Sequence, residues 1–261
     1  MKKKILSERL LKVVNMVTPC HCVCDVGCDH AFASIYMVEQ GIAKKAIACD
    51  VRPGPIASAD SNIKIHGLEN EIETRLGSGL SKVAPGEADS VVMAGMGGML
   101  IESIIKDDLK TALSINTWVL EPQSDFDLVR KLIRECGFTI DLEDMVTERD
   151  KIYPVIRAVK NADALKSAAL NDEDIRLCKD LDISEEELLK VYDRFGKFLI
   201  KSGNKILEKY INKGLTKYDN VIMGIKNADS ADEKSLARLK EMEEEKALSE
   251  TALKIFKMYL K

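Results

Sequence analysis

Two hydrophobic periodicities alternate along the first 160 residues of the 261-residue chain. Short apolar runs, which suit buried strands, alternate with segments whose apolar residues recur at helical spacing. This alternation predicts βαβ units, and therefore a mostly parallel sheet with helices on both faces. The predicted strands are Cys22–Val26, Ala46–Asp50, Ile72–Leu76, Ser90–Ala94, Thr117–Glu121, Phe138–Glu148 and Tyr153–Val159.

The helices predicted between these strands carry recognisable start and stop signals. Ser7 is a candidate N-cap of the first helix, and Gly137 follows the end of the last one. Because the last two strands are close in sequence, we expect a hairpin that adds one antiparallel strand at an edge of the sheet. The predicted helices are Ile5–Val17, Ala31–Gln40, Gly54–His66, Leu100–Lys106 and Asp125–Cys136.

The pattern changes after Lys160, where long charged segments with helical spacing replace the strands. A lone amphipathic helix could not bury its apolar stripe, so two long helices should fold back as a coiled-coil-like hairpin, turning near 227–232. We therefore expect two domains, residues 1–160 and 161–261. The first apolar seam contains Leu188, Tyr192, Phe195, Leu199 and Ile206, and the second contains Leu236, Leu239, Met242, Leu253, Phe256 and Leu260.

Composition and net charge limit the partners and the cellular compartment that we expect for the protein. Hydrophobic residues make up 46% of the chain and the net charge is -4, so any nucleic acid would need a local basic patch. No apolar run approaches the roughly 20 residues of a membrane span, and the start of the chain has no apolar leader core. The seven cysteines form no repeated CxxC pairs. We expect a cytoplasmic monomer with reduced thiols, no membrane association and no metal.

The loop after the first strand contains candidate cofactor-binding residues, Asp25, Gly27, Cys28 and Asp29. A glycine allows close backbone approach, and the following helix offers free N–H groups. The loop lacks the second and third glycines of GxGxxG. Its carboxylates would repel a pyrophosphate but attract a sulfonium cofactor that carries an amino group. The loop therefore favours S-adenosylmethionine over a nicotinamide cofactor.

Further candidates stand at the ends of the later strands. Asp50 is placed to bind the ribose hydroxyls of an adenosine cofactor, although alone it fits a solvated strand-end carboxylate equally well. A glycine-rich end of the fourth strand would let a planar base approach the methyl donor. The other cofactor candidates are Val51, Gly77, Ser78, Gly79, Ala94, Gly95 and Met96, and the candidate substrate wall is Gly97, Gly98, Glu121, Pro122 and Gln123.

A family resemblance is carried by five segments, Leu6–Leu10, Asp25–Ala31, Pro53–Ala59, Arg75–Leu80 and Ala94–Gly98. In combination they resemble the bacterial tRNA (adenine-22-N1)-methyltransferases of the TrmK type. The resemblance implies a class I, Rossmann-like α/β methyltransferase domain with a C-terminal helical, coiled-coil-like domain. It also implies S-adenosylmethionine as cofactor and N1 of adenine 22 in tRNA as methyl acceptor. The chain departs from the family at Cys28, at Ala33-Ser34, and at 121–125, where a Leu-Gln-Pro-Asn-like run is usual.

The implied chemistry suggests roles for three polar residues. Adenine N1 has an in-plane lone pair that can attack the methyl group directly, so positioning supplies most of the catalysis. Asp29 is the first candidate to stabilise the cationic product, with His30 orienting it or contacting substrate. Asp29 could equally bind only the amino group of the cofactor. Arg9 could reach a phosphate, or be a solvated helix-surface residue.

Lysines recur at every fourth position from Lys197 to Lys217. On one helix they would form a positive ridge that attracts phosphates, although a solvated coiled-coil flank explains them almost as well. The members proposed to bind tRNA are Lys197, Lys201, Lys205 and Lys209.

Three other functions remain open from the residues alone. They are an NAD-binding oxidoreductase on the same sheet, an RNA-binding module without catalysis, and an S-adenosylmethionine-dependent methyltransferase that acts on another RNA, a protein or a small molecule.

Overall fold

A seven-stranded sheet organises the first of two units, Met1–Ala169, in the computed structural model. The structure describes residues 6–160, 170–227 and 232–260. In chain order the strands are β1 Cys20–Val26, β2 Ala43–Asp50, β3 Ile72–Leu76, β4 Ser90–Met96, β5 Thr117–Pro122, β6 Phe138–Glu148 and β7 Lys151–Lys160.

The strand order across the sheet is β3-β2-β1-β4-β5-β7-β6, and β1 to β5 are parallel. The chain starts in the middle at β1 and extends first to one side and then to the other. The strand order therefore reverses between β1 and β4, the place where open α/β sheets bind ligands.

The predicted position of the hairpin at the edge is partly wrong. Strand β7 is antiparallel to its neighbours as expected, but it lies inside the sheet, between β5 and β6. Val155, Ile156 and Ala158 of β7 are completely buried, whereas Leu142 of β6 is 38% exposed. The more apolar strand takes the internal place because both of its faces are covered.

The predicted helices of this unit are all present, and Ser7 caps the first, accepting a hydrogen bond from the Leu10 N–H at 3.3 Å. A further short helix had not been predicted, because six residues are too few for a periodic signal. The buried thiols of Cys22, Cys24 and Cys49 are free, as expected. The helices are α1 Glu8–Asn15, α2 Phe32–Glu39, α3 Pro53–His66, α4 Gly98–Asp107, α5 Leu109–Ser114 and α6 Phe126–Glu135.

The second unit, Leu170–Lys261, is helical, but the first of its two predicted long helices is divided. Its described helices are α7 Asp172–Leu181, α8 Glu185–Phe195, α9 Lys197–Lys201, α10 Lys205–Lys226 and α11 Glu233–Tyr259. Gly196 and Gly203 have φ values of +86° and +63°, and Asn204 caps α10. Left-handed backbone ends a helix, so the single long helix is replaced by shorter ones.

The long helices α10 and α11 form the antiparallel pair that the sequence predicted. Ion pairs join Lys226 to Glu243 and Lys246 to Asp219, each at 2.7 Å. The second seam is only partly correct, since Met242 and Phe256 are buried whereas Leu236 and Leu260 are 54% and 49% exposed. Residues 228–231 of the predicted turn and the predicted boundary at 160/161 fall in or beside segments outside the described residues.

Candidate active site

The loop after β1 meets the ends of β2 and β4 at the reversal of strand order. The N–H groups of Gly27 and Cys28 donate to the carbonyl oxygen of Cys49 at 2.8 and 3.0 Å. Gly27 faces Met96, which is half-buried like Ala94. Since the first two loop N–H groups are bonded to β2, they are not presented to a phosphate. This geometry agrees with the inference that the loop does not cradle a pyrophosphate.

Asp25 is buried and hydrogen-bonded within the fold, and its place among the cofactor-binding residues stays a prediction. Its Oδ2 accepts a hydrogen bond from the Ser34 hydroxyl at 2.6 Å. Burial raises the pKa of Asp25 to about 6, and the nearby Asp50 carboxylate acts in the same direction. Asp25 therefore anchors the start of α2 beneath the loop.

Asp50 at the end of β2 is oriented by its own loop. Its Oδ1 accepts the Arg52 N–H at 2.9 Å. Next to it Val51 is 64% exposed, and Leu76 on the paired strand β3 is 51% exposed. A carboxylate beside exposed apolar side chains offers acceptors to a ribose and an apolar surface to its base. Leu76 had not been predicted, because exposure cannot be read from an apolar strand.

The glycines of the turn after β3 have packing roles. A Cβ atom on Gly79 would lie 2.8 Å from the side chain of Ile104, and Gly79 has a φ of +54°. Gly77 faces the side chain of Lys82 in the same way. Ser78 between them is exposed. Close approach of α4 thus explains Gly79 without a ligand.

Three glycines at the end of β4 differ in what surrounds them. Gly95 is exposed, with a φ of +79°. A Cβ atom on Gly97 would lie 3.1 Å from the Ser124 hydroxyl, and one on Gly98 would lie 2.6 Å from the backbone oxygen of Asp125. Gly98 is buried against the loop that follows β5, which gives this glycine a packing role, and its place in the substrate wall stays a prediction.

Arg9 is neither a free phosphate ligand nor a solvated surface residue. Its Nη1 donates to Oε2 of the fully buried Glu121 at 2.5 Å, and its Nε donates to Glu148 at 3.2 Å. The same Glu121 oxygen accepts the N–H of Gly95 at 2.8 Å. Arg9 thus joins α1, the end of β5 and β6. The sequence could not reveal a pair separated by 112 positions.

The other predicted residues of this region differ in exposure. Asp29 and His30 are exposed, with 3.5 Å between His30 Nε2 and Asp29 Oδ2, and Asp29 has a φ of +51°. Pro122 is buried, whereas Gln123 is exposed.

The prediction of a continuous lysine ridge is wrong, because the single helix that would carry it is divided into shorter helices. Lys197 and Lys201 both bind the buried Asp174, and so act within the second unit. Lys205 is exposed and pairs with the glutamate three residues later at 3.2 Å. Lys209 on α10 is exposed.

Within the described ranges, no cluster of His, Cys, Asp and Glu has the arrangement of a metal site. Among the helices that the structure describes, none is long and apolar enough to span a bilayer.

Residues 6–156 match the family model described as "Methyltransferase domain". Over 153 residues the chain is 31% identical to the tRNA (adenine(22)-N(1))-methyltransferase of Bacillus subtilis (strain 168), covering 59% of this chain and 64% of that protein. The structure of the B. subtilis M1A22 tRNA methyltransferase TrmK has 27% identity and a TM-score of 0.79, covering 95% of this chain and 98% of that one. Streptococcus pneumoniae Sp1610, determined in complex with S-adenosyl-L-methionine, has 25% identity and a TM-score of 0.75, covering 95% and 100%.

Proposed function

The chain belongs to the methyltransferase-domain family, and on that premise we propose that it transfers a methyl group from S-adenosylmethionine to N1 of adenine 22 in tRNA. One observation carries the choice of acceptor. The likeness to the TrmK structure extends over 95% of this chain, well beyond the 6–156 segment that names the general family. The sequence match to the B. subtilis enzyme spans slightly less than two thirds of that protein. The identity of the methyl acceptor is therefore part of this proposal.

The chain's residues fit an adenosine cofactor. Asp50 would bind the ribose, Val51 would cover the adenine, and the loop that Gly27 begins would lie against the cofactor. Asp29 would bind the amino group of the cofactor or approach the base. S-adenosylmethionine, when bound, supplies an electrophilic methyl group. Gly95 leaves room for a planar base beside it, and a pocket that excludes water and aligns N1 supplies most of the rate enhancement.

The second unit would assist tRNA binding. Lys209, Lys213 and Lys217 are exposed along α10, and none of the three forms an ion pair within the described residues. Phosphates at similar spacing would be attracted to them. We place this activity in the cytoplasm and infer a monomer, since one chain carries both units.

Labelled S-adenosylmethionine and unmodified tRNA transcripts test the function, with the product nucleoside identified by mass spectrometry. We expect N1-methyladenosine at position 22 and none when guanine replaces adenine 22. A titration with NAD distinguishes the oxidoreductase alternative. If the protein binds S-adenosylmethionine but leaves every tRNA unmodified, it still belongs to the methyltransferase-domain family, but tRNA is not its methyl acceptor.

A further inference from the structure

Glu121 is a buried carboxylate, and one of its two oxygens has no hydrogen-bond partner among the described residues. Its side chain is 0% exposed, and Oε2 accepts hydrogen bonds from Gly95 and Arg9. Among the described residues Oε1 has no hydrogen-bond partner. The two oxygens share one carbon, so Oε1 lies next to the Oε2 that binds Gly95 and Arg9. A buried acceptor in this state indicates a missing partner.

Among the described residues, one carboxylate oxygen of Glu71 and one of Glu143 are also buried without a hydrogen-bond partner, but both lie away from the carboxyl ends of the parallel strands. Glu71 precedes β3, at the amino end of the parallel strands, and Glu143 lies in the middle of β6, where it pairs with the buried Arg130. Ligands bind open α/β sheets at the carboxyl ends of the strands. Glu121 stands at that edge, next to the strand whose end carries the glycine-rich segment.

A planar ligand placed against Gly95 would lie beside the side chain that holds this carboxylate. The missing Cβ of Gly95 leaves a space that Gln123 Nε2 borders at 3.6 Å and Arg9 Nη1 at 3.8 Å. A ring placed against this bare backbone therefore meets Arg9, which holds the Glu121 carboxylate.

The charges around Glu121 are arranged so that Arg9 stays paired if a ligand binds. Burial raises the pKa of Glu121, and the Arg9 guanidinium acts in the opposite direction by favouring the charged form. Arg9 also donates to Glu148 at 3.2 Å and lies 5.3 Å from the centre of the Tyr153 ring. If a bound ligand interacts with the negative charge of Glu121, Arg9 still has the Glu148 carboxylate as a partner.

We infer that Oε1 of Glu121 accepts a hydrogen bond from the exocyclic amino group of the target adenine and stabilises the cationic product. The inference rests on the proposed function. When the N1 lone pair attacks, the N–C bond forms, the C–S bond breaks and its electron pair goes to sulfur. The positive charge moves onto the adenine ring and its amino group, so the amino N–H donates more strongly to a carboxylate, and no proton has to leave. Guanine would present a carbonyl oxygen instead, which the carboxylate repels.

This places the charge-stabilising role on Glu121 and not on Asp29. The Asp29 side chain is 63% exposed, and solvent screens its charge. A carboxylate away from water interacts more strongly with a developing charge.

The test combines two variants with two transcripts. Glu121→Gln keeps the size of the side chain, and Glu148→Gln removes the other carboxylate that binds Arg9. Methyl transfer is measured on tRNA with adenine at position 22 and on tRNA with purine there, which lacks the amino group. We expect Glu121→Gln to lower kcat/KM about 10- to 100-fold on the adenine transcript and at most about threefold on the purine transcript. Glu148→Gln should cost at most about threefold on both. Calorimetry should show S-adenosylmethionine affinity within about twofold for all proteins, which excludes a folding defect.

Equal losses on the adenine and purine transcripts would overturn the inference, because Glu121 would then act without the amino group. Equal losses in the two variants would assign the effect to the anchoring of Arg9. If the unaltered protein methylates neither transcript, the proposed function fails and this inference fails with it. Activity on adenine combined with equal losses removes only the role of Glu121.

Discussion

Gly27 and Met96 occupy adjoining positions across the gap between β1 and β4, so that a Cβ atom on Gly27 would overlap Cε of Met96. Gly27 also has a φ of +75°, which side chains other than glycine rarely adopt. Both constraints act at the point where the strand order reverses. Another residue at 27 would strain the backbone and displace the methyl end of Met96, so glycine fits this position best.

Gly27→Ala should lower the affinity for S-adenosylmethionine several-fold, up to about 10-fold, because the new methyl group would push the end of the Met96 side chain aside at the point where the strand order reverses. Gly41→Ala is the matched control, since Gly41 has a φ of +70° and no heavy atom within 4 Å of its missing Cβ. It should cost about 1 kcal/mol of stability and leave binding intact. Calorimetry and thermal denaturation measure both. Equal cofactor affinities for the two variants would refute the steric argument.

Asp25→Asn should remove a pH dependence of stability. The pKa of Asp25 is raised from 3.8 to about 6 by burial, so the folded protein holds the proton more tightly than the unfolded chain. The resulting stabilisation is complete below pH 4 and is lost as pH rises through 6. Relative to Asp25→Asn, the wild-type free energy of unfolding should fall by roughly 2 kcal/mol between pH 4 and pH 7. Urea denaturation of both proteins at four pH values checks this, and parallel curves would contradict it.

Asp50→Ala should weaken S-adenosylmethionine binding about 10- to 100-fold, the usual cost of losing charged hydrogen bonds to a ligand. Asp60→Ala is a suitable control, because Asp60 is an exposed carboxylate that bonds Thr74 at 2.6 Å, away from the strand ends. Calorimetry should show unchanged affinity for that control. An unchanged affinity in Asp50→Ala would assign Asp50 to the orientation of its loop alone.

The lysines of the second unit should divide into two classes. Lys197→Ala should destabilise the unit by about 1–3 kcal/mol, because the buried Asp174 loses its nearest cation. Replacing Lys209, Lys213 and Lys217 together by alanine should change stability by less than about 0.5 kcal/mol. It should weaken tRNA binding and reduce the slope of log affinity against log salt by about 2 to 3. An unchanged salt slope would remove α10 from the tRNA-binding surface.

Local signals explain why the sequence predicted the first unit well. Strand β3 has the predicted bounds, Ile72–Leu76, and α3 ends at His66 as predicted, because both depend on neighbouring residues. The insertion of β7 and the pairing of Arg9 with Glu121 depend on residues far apart in the chain. In the second unit the four-residue lysine repeat suggested one helix. Gly203, whose positive φ is typical of a helix end, interrupts that helix in the structure.

The position of β7 also determines when the sheet can be completed during synthesis. Strand β6 leaves the ribosome first, yet its ladder partner is β7, which follows it in the chain and pairs on its other side with β5. A nascent chain that ends before Lys151 would expose the apolar edge of β5 and leave β6 without its neighbour. This unit can therefore close its sheet only after residue 160 has left the ribosome, and slow elongation before that point would prolong exposure to aggregation.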